Sequence, residues 1–408
     1  MATGQDLLAA VDRRADQQIA FLRELVREPS DNPPGDCVAH AERTAALLEA
    51  LGFTVERHAV PAELCASHGM VSAVNLVVRQ SFGVGPTIAL NAHGDVVPPG
   101  AGWSVDPYGG EVSDGTMYGR GVAVSKSDIS TYAFAMLALA QSGLPLSGSL
   151  ELHVTYDEES GGFLGPKWLL DEGLSSPDFA VCAGFCHSVV VAHNGCLHLE
   201  VEVTGRSAHA ADPASGIDAL EAANSVLSAL YEHRRGLSGR MSSRPGIGHP
   251  NLVVGLIKGG INTNVVPDNV RLRLDRRIVP EEDAARVEDE LRDLITSLAG
   301  EFPGVDIDVR RIMLARPLVP VDGCALLVDA FQEATQDCTG ELIQEAGVPL
   351  YTDARHYAER GIPTILFGAG PESFLEANAH RADERLKLSD LSRATRITAL
   401  ALSKLLSG

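Results

Sequence analysis

The sequence predicts an α/β protein: a mixed sheet with helices on both faces, interrupted by a smaller two-layer α+β domain. Two patterns carry that prediction. Through residues 1–195, β-branched apolar runs alternate with amphipathic stretches, as strands do when helices cover both faces of one sheet. From about Cys196 the order becomes strand, helix, strand, strand, helix, strand, which is the pattern of a two-layer sandwich with an antiparallel sheet. The first pattern resumes near Arg316, so residues 1–195 and 316–408 form one domain and 196–315 an inserted one. With 408 residues and 45% hydrophobic content, there is enough apolar material for two cores.

In order, Gln5–Arg27 and Ala39–Leu51 read as helices, followed by strands at Thr54–His58, Ala73–Arg79 and Thr87–Ala92. Asp95 to Trp103 is a Pro/Gly-rich loop that suits a substrate wall or a surface turn. A helix from about Asp128 to Gln141 leads to the strand ending at Thr155, a helix near Leu164–Glu172 and a strand at Phe179–Cys182. The inserted domain has strands at Leu197–Thr204, Asn251–Lys258, Asn269–Arg277 and Val305–Arg311, with helices at Ala214–Arg234 and Glu281–Ala299. The returning chain has helices at Gly323–Thr335, Tyr351–Arg360 and Ser389–Leu406, and a short buried strand at Thr364–Phe367.

Chemistry-bearing residues fall where these strands end. In SLELHVTYDEESGG (Ser149–Gly162) a buried-type strand delivers Asp157, Glu158 and Glu159 into a glycine turn, and open α/β sheets bind ligands at such carboxyl ends. Alone, three acids before glycines also describe a solvated turn. A second strand ends in Ala92-His93-Gly94-Asp95, where an imidazole can bind an ion through one nitrogen while a nearby carboxylate fixes its tautomer. Tyr118-Gly119-Arg120-Gly121 precedes a helix, and Ala379-His380-Arg381-Ala382-Asp383-Glu384 lies near the C-terminus. One acid/base group and several ligands make the inventory of a metal hydrolase.

Taken together and in this order, the motifs resemble those of the zinc-dependent amidohydrolases that include acetylornithine deacetylase, succinyl-diaminopimelate desuccinylase, aminoacylase and the glutamate carboxypeptidases. The resemblance runs through nearly the whole chain, in NAHGD, MYGRG, TYDEESGG, VTGRSAHAADP, NTNVVPD, LDRRIVP, TDARHYAERGIP and NAHRADE. It implies a zinc-peptidase-like catalytic domain and an inserted lid that pairs with a second subunit through an edge strand and the helix near Ala214–Leu230. It implies His93 as a ligand of the first ion, Asp95 as its orienting acid, Glu158 as general base, and Glu159 and His380 as ligands of the second ion. His209, Asn264 and Arg277 would meet the substrate from the lid. The histidine would reach the partner's cleft to stabilise a developing oxyanion, and the arginine would hold a carboxylate as a planar fork.

Two departures alter that site. The family's Gly-Arg-Gly-x-x-Asp-x-Lys carries an aspartate that bridges both ions, whereas Val124 stands at that position here. Where the family supplies another acid to the first ion, this chain has Gly184, or Phe185 in a register shifted by one. Two divalent ions need several carboxylates to neutralise them, so zinc or another divalent cation is expected at one per chain at most, on Glu159 and His380 with a recruited third ligand. Asp128, His187 with Cys186, and His356 are the candidates. Each has a plainer reading: a capped first helical turn for Asp128, a structural loop pair for Cys186 and His187, a polar helix face for His356. A third departure puts Pro349-Leu350-Tyr351 before Thr352-Asp353, where the family has a glycine-rich run.

The resulting expectation is hydrolysis of an amide-like bond in a small carboxylate-bearing substrate, an N-acyl amino acid or dipeptide, with Glu158 as base. A metal-free acid–base enzyme on the same scaffold (lyase, isomerase or hydrolase) and a non-catalytic ligand-binding homologue remain as alternatives. A net charge of -21 weighs against nucleic-acid and anionic-membrane partners. No apolar run reaches a bilayer span and the N-terminal stretch has no signal-peptide core, so a cytoplasmic location is expected, while a homodimer is what the resemblance implies. Seven scattered cysteines read as reduced thiols, with Cys182 in the core.

Overall fold

A computed structural model describes residues 3–407 of the chain. The charged N-terminal stretch forms two helices rather than one, α1 (Gly4–Asp12) and α2 (Ala15–Arg27), because the chain turns at Arg13–Arg14. Thr3 and Asp6 close a capping box on α1, satisfying backbone N–H groups that a helix start leaves open. The chain continues through α3 (Val38–Ala50), β1 (Val55–Ala59), α4 (Ala62–Ser67), β2 (Val74–Ser81), β3 (Thr87–His93), β4 (Glu111–Ser113) and β5 (Thr116–Tyr118). Next come α5 (Lys126–Ala140), β6 (Ser149–Thr155), α6 (Pro166–Asp171), β7 (Phe179–Cys182) and β8 (Val189–His193). The inserted stretch holds β9 (Gly195–Thr204), α7 (Ala219–Leu237), β10 (Asn251–Gly259), β11 (Asn269–Ile278), α8 (Ala284–Ser297) and β12 (Asp306–Ala315). The remainder holds α9 (Cys324–Thr339), β13 (Glu345–Val348), α10 (Ala354–Ala358), β14 (Thr364–Leu366), α11 (Phe374–Ala377), β15 (Arg385–Lys387) and α12 (Leu388–Leu406).

Packing divides the chain into two units. The first takes in the chain up to Val191, Pro320–Ala346 and the stretch from Thr352; the second takes in Ala192–Val319 and Gly347–Tyr351. The large sheet runs β1-β2-β6-β3-β7-β14-β8-β13. Its centre is parallel, β3 lying between β6 and β7, while β1, β2 and β8 pair antiparallel, so the sheet is mixed. Helix α5 is buried from Lys126 to Leu139, which is why its sequence is apolar all round rather than striped. Among the described residues no helix is long and apolar enough to cross a membrane.

In the second unit the sheet runs β10-β11-β9-β12 and is antiparallel throughout. Along β9, Leu197, Leu199, Val201 and Val203 point into a core shared with α7 and α8, alternating with His198, Glu200 and Glu202, as a strand with one covered face requires. Helix α7 starts later than the sequence suggests: Pro213–Ser215 is a single 3-10 turn, and Asp218 then caps α7 by accepting from the N–H groups of Leu220 and Glu221. The helix expected over Tyr351–Arg360 shrinks to α10. A small sheet, β15-β5-β4, was not legible, since strands of three residues carry too little periodicity.

Candidate metal and acid–base centre

Parallel pairing of β3 with β6 sets His93 opposite Thr155, so the turns that follow both strands lie side by side. Gly94 is required there: a Cβ would lie 2.5 Å from the Tyr156 ring. Asp95, fully buried, ties the two turns together. Its carboxylate accepts from the backbone N–H groups of Glu158 and Glu159, both at 3.3 Å, and from Asn32 Nδ2 at 3.0 Å. His93 Nδ1 donates to the Asp95 carbonyl at 2.9 Å, with Asp95 Oδ1 3.4 Å away. That bond places Nε2, 3.9 Å from Glu158 Oε2, as the nitrogen that an ion would take in exchange for its proton. His380 Nε2 lies 3.4 Å from Glu159 Oε1, and His380 itself takes a left-handed φ of 61°, a conformation non-glycine residues rarely hold without tertiary cause. The structure thus brings together His93, Asp95, Glu158, Glu159 and His380.

The charges explain the proton affinities. Burial alone would push the His93 imidazole down, but Asp95 and Glu158 outweigh it and hold it well above its ordinary value. Burial pulls the other way on Asp95, where His93 and Asn32 keep the carboxylate low. Glu158 is driven well up by burial, against the pull of His93 and with the push of Glu159. His380 is raised by its partner Glu159.

Several groups near the centre were given no role by the sequence reading. Asp157 accepts from the Leu164 N–H at 2.5 Å, and Thr155 Oγ1 donates to Asp353 Oδ2 at 3.4 Å. Burial raises both carboxyls, Asp353 to about 6, and each keeps one buried oxygen without a partner among the described residues. Asn32, in a proline turn, gave no signal. Glu384 accepts from Arg120 at 2.6 Å and from the Ala123 N–H at 3.1 Å, anchoring the segment that carries Val124.

Val124 and Gly184, where the family resemblance implies acids, sit in different surroundings. Val124 is partly buried against the first unit's core, and neighbouring Ser125 docks on the His93 backbone, accepting from its N–H at 3.0 Å. At Gly184 a Cβ would lie 2.7 Å from the Phe367 nitrogen and 2.8 Å from Leu366, so this backbone has no room for any side chain. Asp128, expected in a capped first helical turn or as a recruited ligand, does lie in the first turn of α5, but it is buried and α5 lacks a side-chain cap. Its carboxyl accepts from the Ala369 N–H at 2.6 Å and from the Gly184 backbone, and burial raises it to about 7. His356, expected on a polar helix face, is buried too, its Nε2 donating to the Gly161 carbonyl at 3.2 Å. Cys186 and His187 gather with Asp390, not with His93.

In the second unit, Asn264 accepts from the Ala210 N–H at 2.9 Å and Val265 bridges to His209, so these two motifs meet. Arg277 sits near the other end of β11, its Nε donating to Asp275 Oδ1 at 3.0 Å and its guanidinium 6.0 Å from the Tyr351 ring. Eight strand residues separate Asn269 from Arg277, about 26 Å at strand rise.

The donor atoms of His93, Glu158 and Glu159 lie within 4.8 Å of one another, which fits one divalent cation. Val124 and Gly184 contribute no carboxylate to this set.

A mixed α/β sheet presenting carboxylates and imidazoles at the ends of its central parallel strands defines a hydrolase of the metallopeptidase and deacylase class. Residues 89–404 match the profile of Peptidase family M20/M25/M40, and the chain belongs to that family. It is 28% identical to a succinyl-diaminopimelate desuccinylase of Rhodospirillum centenum over 97% of this chain and 98% of that one. It is 30% identical to an acetylornithine deacetylase of Myxococcus xanthus over 89% and 91%. Human carnosine dipeptidase 1 shares the fold, with a TM-score of 0.77 at 17% identity across both whole chains.

Proposed function

We propose that this hydrolase removes a small acyl group from an amino-acid nitrogen, or cleaves a dipeptide, with Glu158 as general base beside a single divalent cation. The observation that carries the reading is the convergence of His93, Glu158, Glu159 and His380 around one set of strand ends. His93, Glu159 and His380 would hold the ion. When bound, such an ion supplies a Lewis acid that polarises the scissile carbonyl. Glu158 takes the proton of the attacking water and returns it to the leaving nitrogen. Asp95 fixes the His93 tautomer and, through two backbone N–H groups, the position of Glu158. Arg277 anchors the substrate carboxylate, and His209 with Asn264 reach the cleft of a second subunit. Relatives named desuccinylase and deacetylase support the acyl-amino-acid class.

Glu158→Gln is expected to lower kcat by about 10²–10⁴-fold while leaving the bound ion and the fold intact. Glu159→Ala should lose the ion. Retained turnover in Glu158→Gln would overturn the assignment. Turnover unaffected by metal removal yet abolished by Glu158→Gln would instead favour the metal-free acid–base reading, which the two lost acids motivate.

A further inference from the structure

Outside that centre, the loop leaving β7 and the first turn of α12 bring a thiol, an imidazole and a carboxylate to one place. The donor atoms of Cys186, His187 and Asp390 all lie within 4.8 Å of one another. We infer that they form a second metal site, for zinc or a similar borderline divalent ion, which clips the loop after β7 to α12.

The geometry suits an ion better than it suits the side chains alone. His187 Nε2 and Asp390 Oδ1 are 3.5 Å apart, too long for a good hydrogen bond between a nitrogen and a carboxylate. Zinc–nitrogen and zinc–oxygen bonds of about 2.0–2.2 Å meeting at a tetrahedral angle separate two such donors by about 3.4 Å. The donor set is discriminating. Magnesium and calcium take oxygen ligands, whereas a sulfur, nitrogen and oxygen trio selects zinc-like ions.

The frame around the trio is rigid. The Cys186 N–H donates to the Gly370 carbonyl at 3.1 Å and the Gly370 N–H to Gly184 at 2.8 Å, so the loop is pinned on its inner side. Arg393 Nε donates to the Cys186 carbonyl at 3.1 Å, pinning it to α12. Cys186 is fully buried and Asp390 nearly so, while His187 is about a third exposed at a depression of about 420 Å³. That depression, lined also by Cys338, Ser389, Arg393 and Arg396, gives an entry path and room for a fourth ligand from solvent. The two arginines do not oppose a dication, since Arg393 pairs with Glu341 and Arg396 with Asp12. On binding, the Cys186 thiol loses its proton to solvent as the sulfur–metal bond forms. One thiolate and one carboxylate then balance the ion's charge beside a neutral imidazole.

Sulfur ligation separates this site from the strand-end centre, whose donors are all nitrogen and oxygen. Cobalt(II) added to metal-free full-length protein should give a thiolate-to-cobalt charge-transfer band in the near ultraviolet. The band should vanish in Cys186→Ser, and in His187→Gln, an exposed change that does not threaten the fold, the cobalt affinity should fall roughly tenfold or more. It should persist in Glu159→Ala, Cys196→Ser and Cys338→Ser. A wild-type protein without the band at saturating cobalt, or a band that survives Cys186→Ser, would overturn the inference. Neither result bears on Glu158. Metal counts for the strand-end centre are therefore to be taken in the Cys186→Ser background.

Discussion

His40 and Tyr156 form the floor beneath the His93–Asp95 turn, and that floor is sensitive to acid. His40 is fully buried, its Nε2 donating to the Leu25 carbonyl at 3.1 Å and its Nδ1 accepting from the Tyr156 hydroxyl at 2.9 Å. Burial and the nearby Lys126 ammonium hold its proton affinity well below the ordinary 6.5. The unfolded chain therefore binds a proton that the folded chain refuses, and the stability that neutral His40 contributes is complete above that value and lost as pH falls below it. The loss is about 1.4 kcal/mol per pH unit. His40→Gln, less stable than wild type at pH ~8, should lose part of that deficit at pH ~5.5. Urea midpoints at the two pH values check this, and a gap that stays constant would show that His40 binds its proton as readily in the fold as in the unfolded chain. At this scale the sequence told much about residues that end strands, because His93, Asp95, Glu158 and Glu159 stand in one-dimensional register with the strands that carry them. It said little about Asp128, His356, Asp353 or Asn32, whose burial and partners come from segments far away in the chain.

Among the elements, the segment from β14 to Gly370 closes over Gly184, where the resemblance implies an acid. Phe367 and Leu366 leave no space for a Cβ at Gly184, and Gly368 is equally bound, since its Cβ would fall 1.9 Å from Asp128 Oδ1. The Asp128 carboxyl and these glycines are one packed unit, so no side chain enters at 184 without displacing it. Gly184→Ala should cost about 1–3 kcal/mol through overpacking, read as a lowered denaturation midpoint. Val124→Asp should fold and still hold no more than one ion at the strand ends, counted in the Cys186→Ser background. Two ions there would sink this account. The sequence showed a glycine at 184 but not the closeness of the chain at 366–368 that surrounds it. Long periodic elements such as β9, β11 and α12 were legible from pattern alone. The break between α1 and α2, the short β4, β5 and β15, and the late start of α7 were not, because backbone turns and tertiary pairing rather than hydrophobic period set them.

For the whole molecule, the second sheet poses a problem that a second copy would solve. β10 is an edge strand, and Val253, Leu256 and Ile257 on it, with Ile261 just beyond, are exposed. An apolar edge left open invites pairing with another chain. We propose that it pairs with the same strand of a partner subunit, giving a symmetric dimer by light scattering that Leu256→Lys converts to monomer. The layout of β11 gives this pairing a functional meaning: Arg277 lies near one end of the strand, while the His209–Asn264 pair belongs to the loops beyond the other. If the partner's lid supplies His209, two inactive variants complement each other. Mixing His209→Ala with Glu158→Gln under conditions that exchange subunits makes half the dimers heterodimers. Each carries one cleft with Glu158 that is served by a lid with His209, so about a quarter of wild-type activity should return. No recovery, with exchange verified, would mean that no cleft depends on a partner's His209, and the dimer would then have to be explained by stability alone.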